Sequence, residues 1–281
     1  MKETNLTNTP VQSVHSDRAI KLWWSKLPGI PNFGDELSPI IVQGISHATC
    51  DWSPPDVCEM IAVGSLIEFA SKEERKKPLV VWGSGFISDG PRLSCRMDAD
   101  FYAVRGELSL NRVSTRCSHI AVGDPALLLS CLIERKTEPC QVSRIGIFPH
   151  FVDRELPELH TVRNDTRYVV IDPLWPVQDV LEAIWSCSFI FSSSLHGLIA
   201  ADSYEIPNAW LPLSDRVLGG DYKFRDYYSG IGRTLERASL RQAFTPSAVS
   251  EMIAQWKPVD ALHTRQEDLI ASFPGQFLTQ V

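Results

Sequence analysis

A serine-rich stretch that ends in a histidine and a glycine has the residue types in this sequence most suited to chemistry. The segment FIFSSSLHGLIAADSYEIPNAWL spans residues 189–211, and His196 follows three serines and Leu195. The hydrophobic run before the serines predicts a strand, and the apolar run after Gly197 predicts a helix. His196 therefore lies at a predicted helix N-terminus, where the helix dipole lowers the pKa of an imidazole and keeps it neutral.

Several roles are open to His196, and the pattern around it favours proton transfer. No G-x-S-x-G turn exposes a serine nucleophile, which argues against a Ser-His pair. No H-x-x-H or H-E-x-x-H spacing surrounds His196, which argues against a metal site. A neutral imidazole beside serine hydroxyls and backbone N–H groups suits proton transfer next to a bound anion. A capping histidine without a catalytic role is the alternative.

Two glycine-containing turns follow predicted strands earlier in the chain. NFGDELSPIIV, residues 32–42, places Gly34 and Asp35 at the start of a helix, where an acidic residue suits either the helix dipole or a functional loop. WGSGF, residues 82–86, could hold an anion through the bare backbone around Gly83 and Ser84. A lone G-x-G is weak evidence, because it lacks the lysine of a P-loop and the third glycine of a dinucleotide fingerprint.

Arg105 ends another predicted strand, in VRGELSL, on the side of the sheet where ligands bind. A guanidinium stays charged at any working pH and needs an anionic partner. That partner is either a ligand or a structural salt bridge to Glu107 or Asp124.

A segment rich in cations and tyrosines, SDRVLGGDYKFRDYYSGIGR, spans residues 214–233. Its glycines predict a loop that acts as a lid or a binding wall. Aromatic faces stack against sugar rings, and Lys223 or Arg225 could hold a carboxylate or phosphate. A solvated charged loop is the alternative.

The elements that would position these residues alternate between short apolar runs and helical stretches. The nine runs predict strands at residues 20–24, 60–64, 79–83, 101–106, 119–124, 144–148, 167–172, 189–193 and 208–211. Helices are predicted over 177–185 and after Thr245, an N-cap followed by Pro246. Such alternation predicts a doubly wound α/β fold.

The polar segment ERKTEPCQVS, residues 134–143, separates two groups of predicted strands. We therefore expect a polar lead-in over 1–19, an N-terminal Rossmann-like domain over 20–138, and a C-terminal one with closing helices over 139–281. The two would face each other across a cleft, with ligands beyond the carboxyl ends of the strands.

Composition excludes several classes of protein. The net charge of -7 over 281 residues argues against non-specific nucleic-acid binding. No stretch approaches the ~20 apolar residues that span a bilayer, and the polar N-terminus lacks the apolar core of a signal peptide. The seven cysteines form no CxxC pair, which predicts free thiols in a reducing cytosol and no cysteine metal site.

Taken in order, these segments resemble the polysaccharide pyruvyl transferase family. NFGDELS, AVGSLIEFA, VVWGSGF, AVRGELS, VGDPALLL, the His196 segment and DYKFRDYYSGIGR carry the resemblance, from about residue 20 to about residue 235. It is closest to the short bacterial, xanthan-type ketal pyruvate transferases. The resemblance implies a GT-B-like fold and phosphoenolpyruvate as donor substrate, with no further cofactor and no metal. It also implies transfer of the enolpyruvyl group to two hydroxyls of one sugar, with release of phosphate.

The resemblance also implies roles for individual residues. His196 would move the proton, Arg105 would hold the donor, and Asn32, Gly34 and Asp35 would position substrate. Many relatives carry an arginine where this chain has Ser194, so another cation is expected to replace it in holding the donor's carboxylate and phosphate. The candidates for that cation are Lys223, Arg225, Arg216 and His150. Our expected site set is His196 as catalyst, Arg105, Ser194, Leu195, Lys223 and Arg225 as donor ligands, and Asn32, Gly34, Asp35, Gly83, Ser84 and His150 as positioning residues.

The expected acceptor is a sugar of an exopolysaccharide or capsule precursor, lipid-linked as is usual in similar proteins. The enzyme would then be cytoplasmic, with peripheral contact at the inner face of the membrane through that acceptor. A GT-B nucleotide-sugar glycosyltransferase is the alternative, although no ribose-binding carboxylate pattern supports it. A catalytically inactive sugar-binding scaffold is a third reading, against which the presence of His196 and Arg105 argues.

Overall fold

Two parallel β-sheets with helices packed around them form the protein. The computed structural model describes residues 19–26, 31–91, 97–113, 119–136 and 144–279. The expected lead-in, apart from Ala19, and the expected domain boundary at 138/139 lie outside these residues. Both sheets have strands that run in one direction only, so the chain is a mixed α/β protein with Rossmann-like parallel sheets.

The first sheet has the strand order β2-β1-β3-β4-β5-β6. Its strands are β1 (Ile20–Trp23), β2 (Cys50–Trp52), β3 (Met60–Ile61), β4 (Leu79–Trp82), β5 (Ala99–Val104) and β6 (Ala121–Val122). The helices along it are α1 (Phe33–Ser46), α2 (Ile67–Ala70), α3 (Glu107–Leu110) and α4 (Leu129–Leu132). A 3₁₀ turn, Pro125–Leu128, precedes α4, and Asp124 caps it by accepting the Ala126 N–H at 3.0 Å.

The second sheet has the order β10-β9-β7-β8. Its strands are β7 (Arg144–Phe148), β8 (Tyr168–Val170), β9 (Cys187–Ser192) and β10 (Asn208–Trp210). Between them lie a 3₁₀ turn, Phe151–Asp153, and the helices α5 (Pro157–Val162), α6 (Val177–Trp185) and α7 (Leu195–Ser203). After β10 come α8 (Tyr222–Gly230), α9 (Leu240–Ala243), α10 (Pro246–Gln255), α11 (Leu262–Ala271) and a 3₁₀ turn, Gly275–Phe277.

Helix α11 packs back on the first sheet, although its sequence follows the second. The Trp82 indole N–H donates to the Leu269 carbonyl at 3.1 Å, and the Trp82 ring meets Phe273 edge-on with centroids 4.8 Å apart. The Gln266 amide donates to the Leu127 carbonyl at 2.8 Å. Helix α11 therefore packs against elements of the first sheet, although it follows the second sheet in the sequence.

One hydrophobic cluster connects the two sheets. It contains Leu22 and Trp82 from the first sheet and Phe148 and Ile190 from the second, all fully buried. Helix α1 packs against both α6 and α7, which flank the second sheet. Burial of this shared apolar surface fixes α1, and with it the Asn32–Asp35 turn, against the strand ends of the second sheet.

The nine predicted strands are all present, and one further strand was missed. β2 reads CDW and has two exposed residues at the edge of its sheet, so no apolar run marks it. Thr245 stands at the start of α10 as predicted, but its hydroxyl donates to the Arg241 carbonyl instead of capping the helix. Within the described residues no helix is long and apolar enough to cross a membrane.

Candidate active site

Three loops meet at the carboxyl ends of parallel strands: the start of α1 after β1, His150 after β7, and the SSSLHG turn after β9. Gly34 in α1 lies directly against the His196 imidazole, because a Cβ at Gly34 would stand 2.2 Å from His196 Nδ1. Only a residue without a side chain allows this approach. This contact joins helix α1, which follows β1 of the first sheet, to His196, which follows β9 of the second sheet.

The His196 imidazole is neutral in the folded protein. Burial, followed by the positive charges of Lys223 and Arg105, lowers its pKa to about 3. Its Nε2 atom is buried and has no hydrogen-bond partner among the described residues. The sequence predicted a neutral imidazole from the helix dipole, and the structure gives burial as the larger cause. An unpaired ring nitrogen of this kind is free to exchange a proton with a bound molecule.

The serines before His196 hold the turn in shape. Ser192 Oγ lies 2.9 Å from the Phe148 carbonyl and accepts the Ser194 N–H at 3.0 Å. Ser193 Oγ accepts the His150 N–H at 2.7 Å and donates to the buried Asp153 carboxylate at 3.2 Å. Ser194 occupies the N-cap position of α7 without a side-chain cap bond. The side chain of Leu195, the first residue of α7, packs in the hydrophobic core.

Asp35 is held beside this turn by its neighbour Asn32, whose side-chain N–H₂ donates to Asp35 Oδ2 at 2.8 Å. Burial raises the pKa of Asp35 to about 6, against the opposing effects of the Asn32 hydrogen bond and the Lys223 charge. The structure thus places Asn32 and Asp35 in the same turn as Gly34, which contacts His196, and their role as positioning residues stays a prediction.

Lys223 supplies a buried positive charge at this site. Its side chain is 7% exposed and makes no hydrogen bond or ion pair within the described part of the chain. Burial, and then the Arg105 charge, lowers its pKa to about 8, while Asp35 acts in the opposite direction. Its charge also lowers the pKa of both His150 and His196, so it lies within electrostatic reach of each.

Arg105 is completely buried, and its charge is neutralised inside the protein. The guanidinium Nε donates to Asp226 Oδ2 at 2.9 Å, Nη1 to Ser65 Oγ at 2.6 Å and Nη2 to the Phe86 carbonyl at 2.6 Å. The ionic partner is Asp226 of α8, not Glu107 or Asp124 as the sequence suggested. All three guanidinium nitrogens are therefore engaged by protein groups.

Of the other three candidates for the missing arginine's role, two are paired with carboxylates and the third is neutral. Arg225 pairs with Asp221 at 3.1 Å on the exposed side of α8. It points away from the site because it lies two residues after Lys223, and residues two apart on a helix point to opposite faces. Arg216 pairs with Asp153 at 3.3 Å and is mostly exposed. Burial lowers the pKa of His150 to about 3, so His150 is neutral, and its Nδ1 accepts the Val152 N–H. Among the four candidates, Lys223 alone is buried and charged and has no ion pair within the described residues, although its Nζ lies 5.6 Å from the centroid of the Phe224 ring.

Gly83 and Ser84 are used within the fold and do not offer an anion cradle. The Gly83 N–H donates to the Ala103 carbonyl at 2.7 Å, and its φ of +85° requires glycine. Ser84 Oγ donates to the Gly64 carbonyl at 2.8 Å and accepts the Leu66 N–H at 3.1 Å. The expected positioning role for these two residues has no support in their contacts.

Part of the 214–233 segment, which the sequence predicted as a loop, is helical. Residues 222–230 form α8, because the glycines lie at its margins and Tyr222, Phe224 and Tyr227 bury their rings. The role of Asp226 was missed, since its partner Arg105 lies 121 residues away. The three-residue spacing of Lys223 and Asp226 was the available signal, because it places both on one helix face.

Comparison with known proteins finds a matching family model and similar sequences. The family model for polysaccharide pyruvyl transferase matches residues 8–215, more than half of the chain. Protein L143 of Acanthamoeba polyphaga mimivirus is 30% identical over 196 residues, which cover 67% of each chain. The succinoglycan biosynthesis protein ExoV of Rhizobium meliloti (strain 1021) is 24% identical over 213 residues, covering 75% of this chain and 65% of the relative. The alignments thus span about two thirds of the relatives' own lengths.

Proposed function

The chain belongs to the polysaccharide pyruvyl transferase family and is a transferase enzyme, and from this premise we propose that it makes cyclic pyruvate ketals from phosphoenolpyruvate. The enolpyruvyl group would pass to two hydroxyls of one sugar in an exopolysaccharide or capsule precursor. The observation that carries the proposal is a buried cation without an ion pair in the described residues, Lys223, within electrostatic reach of a buried, neutral imidazole, His196.

Lys223 is our proposed ligand for the donor's anionic groups. A buried ammonium is costly, and the nearby Asp35 carboxylate offsets only part of that cost, so a carboxylate or phosphate bound beside Lys223 would reduce it further. Lys223 would replace the arginine that many family members carry at the position of Ser194. Arg105 contributes positive potential to the same site while its hydrogen bonds are made to Asp226, Ser65 and Phe86.

The reaction needs proton transfers that a neutral histidine can perform. The methylene carbon of phosphoenolpyruvate gains a proton, C2 forms bonds to two hydroxyl oxygens, and the C2–O bond to phosphate breaks. The two sugar hydroxyls lose one proton each. One of these protons replaces the proton given to the methylene carbon, and the other leaves with the phosphate. We assign His196 to the proton transfer at the methylene carbon. An anionic donor would raise the pKa of His196 and favour its protonated form when the site is loaded.

We propose a GT-B-like arrangement with the site between the two sheets, a lipid-linked acceptor, and contact with the cytoplasmic face of a membrane through that acceptor. The membership in a pyruvyl transferase family disfavours the nucleotide-sugar glycosyltransferase, because that reaction uses another class of donor. An inactive scaffold is disfavoured by the unpaired state of Lys223.

Donor-dependent stabilisation and product analysis test this function. Phosphoenolpyruvate should raise the melting temperature, while UDP-glucose and GDP-mannose should leave it unchanged. With an acceptor oligosaccharide, phosphate should be released and the sugar should gain the mass of pyruvate less one water. Stabilisation by a nucleotide sugar and not by phosphoenolpyruvate would instead support the glycosyltransferase.

A further inference from the structure

A cavity lies at the end of the second sheet, beside the turn that carries His196. It has a volume of about 520 Å³ and is lined by the end of β10 and the segment that leads to α8. Resting on the proposed function, we propose that this cavity, here called the β10 cleft, binds the acceptor saccharide as an uncharged pyranose. Its volume is within the usual range of about 300–1,000 Å³ for small-ligand sites.

The β10 cleft is adjacent to the donor site through two of its lining residues. Ser193 lines the cleft and directly precedes Ser194 in the turn that carries His196. Phe224 lines it and directly follows Lys223 in α8. β9 and β10 are neighbouring parallel strands, so the cleft and the histidine lie at the same carboxyl edge of the sheet. A sugar in the cleft would therefore have hydroxyls near the donor.

An aromatic surface forms part of the cleft wall. The partly buried Trp210 lies on the buried Phe224, with ring centroids 5.1 Å apart and planes inclined by 31°. This contact restricts the indole to one orientation before any ligand binds. A large apolar ring bordered by a few polar groups suits the C–H face of a pyranose.

The polar lining offers both hydrogen-bond acceptors and donors. Asp215 and Asp221 supply carboxylates, and Arg216 and Arg237 supply guanidinium groups. Their formal charges cancel, so the cleft does not select for an anion, whereas sugar hydroxyls can donate to carboxylates and accept from guanidinium groups. This balance favours an uncharged sugar over a nucleotide diphosphate.

Internal hydrogen bonds fix the wall of the β10 cleft. The buried Asp153 carboxylate accepts bonds from both Ser214 Oγ and Arg216 Nη2. Gly219, with a φ of +78°, lies against Ile87, where a Cβ would come within 1.9 Å of the Ile87 carbonyl oxygen. The wall is thus tied both to the second sheet and to the segment after β4, which preorganises the cleft for binding.

Saturation-transfer NMR with methyl β-D-glucopyranoside and methyl β-D-galactopyranoside tests the proposal. The wild-type protein should bind at least one of these probes. Asp215→Asn should weaken that binding at least fivefold, and Trp210→Leu should weaken it further. Glu236→Gln, an exposed charge in a neighbouring cavity, is the matched control and should bind as the wild type does. If neither probe binds the wild-type protein, or if Asp215→Asn binds equally well, the proposal is wrong.

Kinetics separate this proposal from the donor assignment. In Asp215→Asn the KM for the acceptor should rise while the KM for phosphoenolpyruvate stays unchanged. Asp215 is an exposed wall residue, so this variant remains informative even if Trp210→Leu fails to fold. Sugar binding without any phosphoenolpyruvate turnover in the wild type would leave the cleft standing and overturn the pyruvyl transfer. Turnover of phosphoenolpyruvate in the wild type with an unchanged acceptor KM in Asp215→Asn would support pyruvyl transfer and overturn the assignment of the cleft.

Discussion

At the scale of single residues, burial acts on both Lys223 and His196. It makes the charged form of Lys223 costly, and it favours the neutral form of His196. Lys223 retains a charge that burial disfavours, and His196 loses the charge it would carry in acid. Structural side chains are seldom kept unpaired in this way, because removing the polar group would stabilise the fold. Both residues are therefore better explained by a ligand than by stability.

Replacing Lys223 by methionine should separate stability from donor binding. Lys223→Met removes a desolvated charge and should raise the free energy of unfolding at pH 7, by about 3 kcal/mol at most. The depressed pKa of about 8 means that the cost of this charge is present at neutral pH and disappears as pH rises toward the unfolded-state pKa of 10.5, so the gain should shrink above pH 8. Phosphoenolpyruvate affinity should fall about ten- to a hundredfold, the value of a charge-assisted contact.

Calorimetric titration and thermal melts at pH 7 and pH 10 measure both effects. Lys77→Met, which removes an exposed lysine, is the control and should change neither quantity. Unchanged donor affinity in Lys223→Met would remove Lys223 from the donor site.

His196→Gln should affect turnover much more than donor binding. Glutamine keeps a hydrogen-bonding side chain of similar size but cannot exchange a proton near neutral pH. The turnover number should fall by about 10²–10⁴, the usual contribution of a general acid or base. The phosphoenolpyruvate Kd, measured by calorimetry, should change by less than about tenfold. Collapse of binding together with turnover would make His196 a donor ligand, and normal turnover would leave it only a packing role against Gly34.

At the scale of elements, the first turn of α1 and the first turn of α7 fix each other through Gly34. Gly34→Ala would place a methyl group within 2.2 Å of His196 Nδ1, so the imidazole must move. We expect turnover to fall about tenfold to a hundredfold, since displacement of a catalytic group by about 1 Å can have an effect of that size. Gly275→Ala is the matched control, because a Cβ there meets open space. Equal kinetics in the two variants would show that the contact does not position His196.

The helix α8 is held to the first sheet by the Arg105–Asp226 pair. Asp226→Asn leaves a buried guanidinium without its counter-ion and should lower the free energy of unfolding by about 3–5 kcal/mol. Arg105→Met should have a similar effect, and the double variant should lose less than the sum of the two. Urea denaturation measures all three. Wild-type stability in Arg105→Met together with lost phosphoenolpyruvate binding would show that Arg105 is a donor ligand instead.

The sequence predicted those elements and residues whose signals are local. Nine strands could be recognised from short apolar runs, and Gly34, Asp35 and His196 from turns that follow strands. β2 was missed because two of its three residues are exposed, and α8 was mistaken for a loop because of its flanking glycines. The pairing of Arg105 with Asp226 depends on tertiary packing between segments 121 residues apart, which no local spacing encodes.

At the scale of the whole molecule, the C-terminal helix α11 contributes to the stability of the first sheet. Leu269 is fully buried in the cluster shared by both sheets, while its neighbour Ile270 is 42% exposed. Leu269→Ala should lower the free energy of unfolding by about 2–5 kcal/mol, as is usual when a buried leucine is truncated. Ile270→Ala should change it by less than about 1 kcal/mol. Similar denaturation midpoints for the two variants would show that α11 is not part of the shared core.

The Arg105–Asp226 pair also determines which motions the molecule can make. Asp226 accepts the Ser109 N–H at 2.8 Å as well as the Arg105 guanidinium, so α8 is attached to both the end of β5 and α3. Rotating α8 away from the first sheet would break a buried ion pair and expose Arg105 unpaired. We infer that α8 and the first sheet move as one body during the catalytic cycle. The Ser109 amide hydrogen should therefore exchange with solvent more slowly than the amide hydrogens of the exposed residues Asp215 and Leu218.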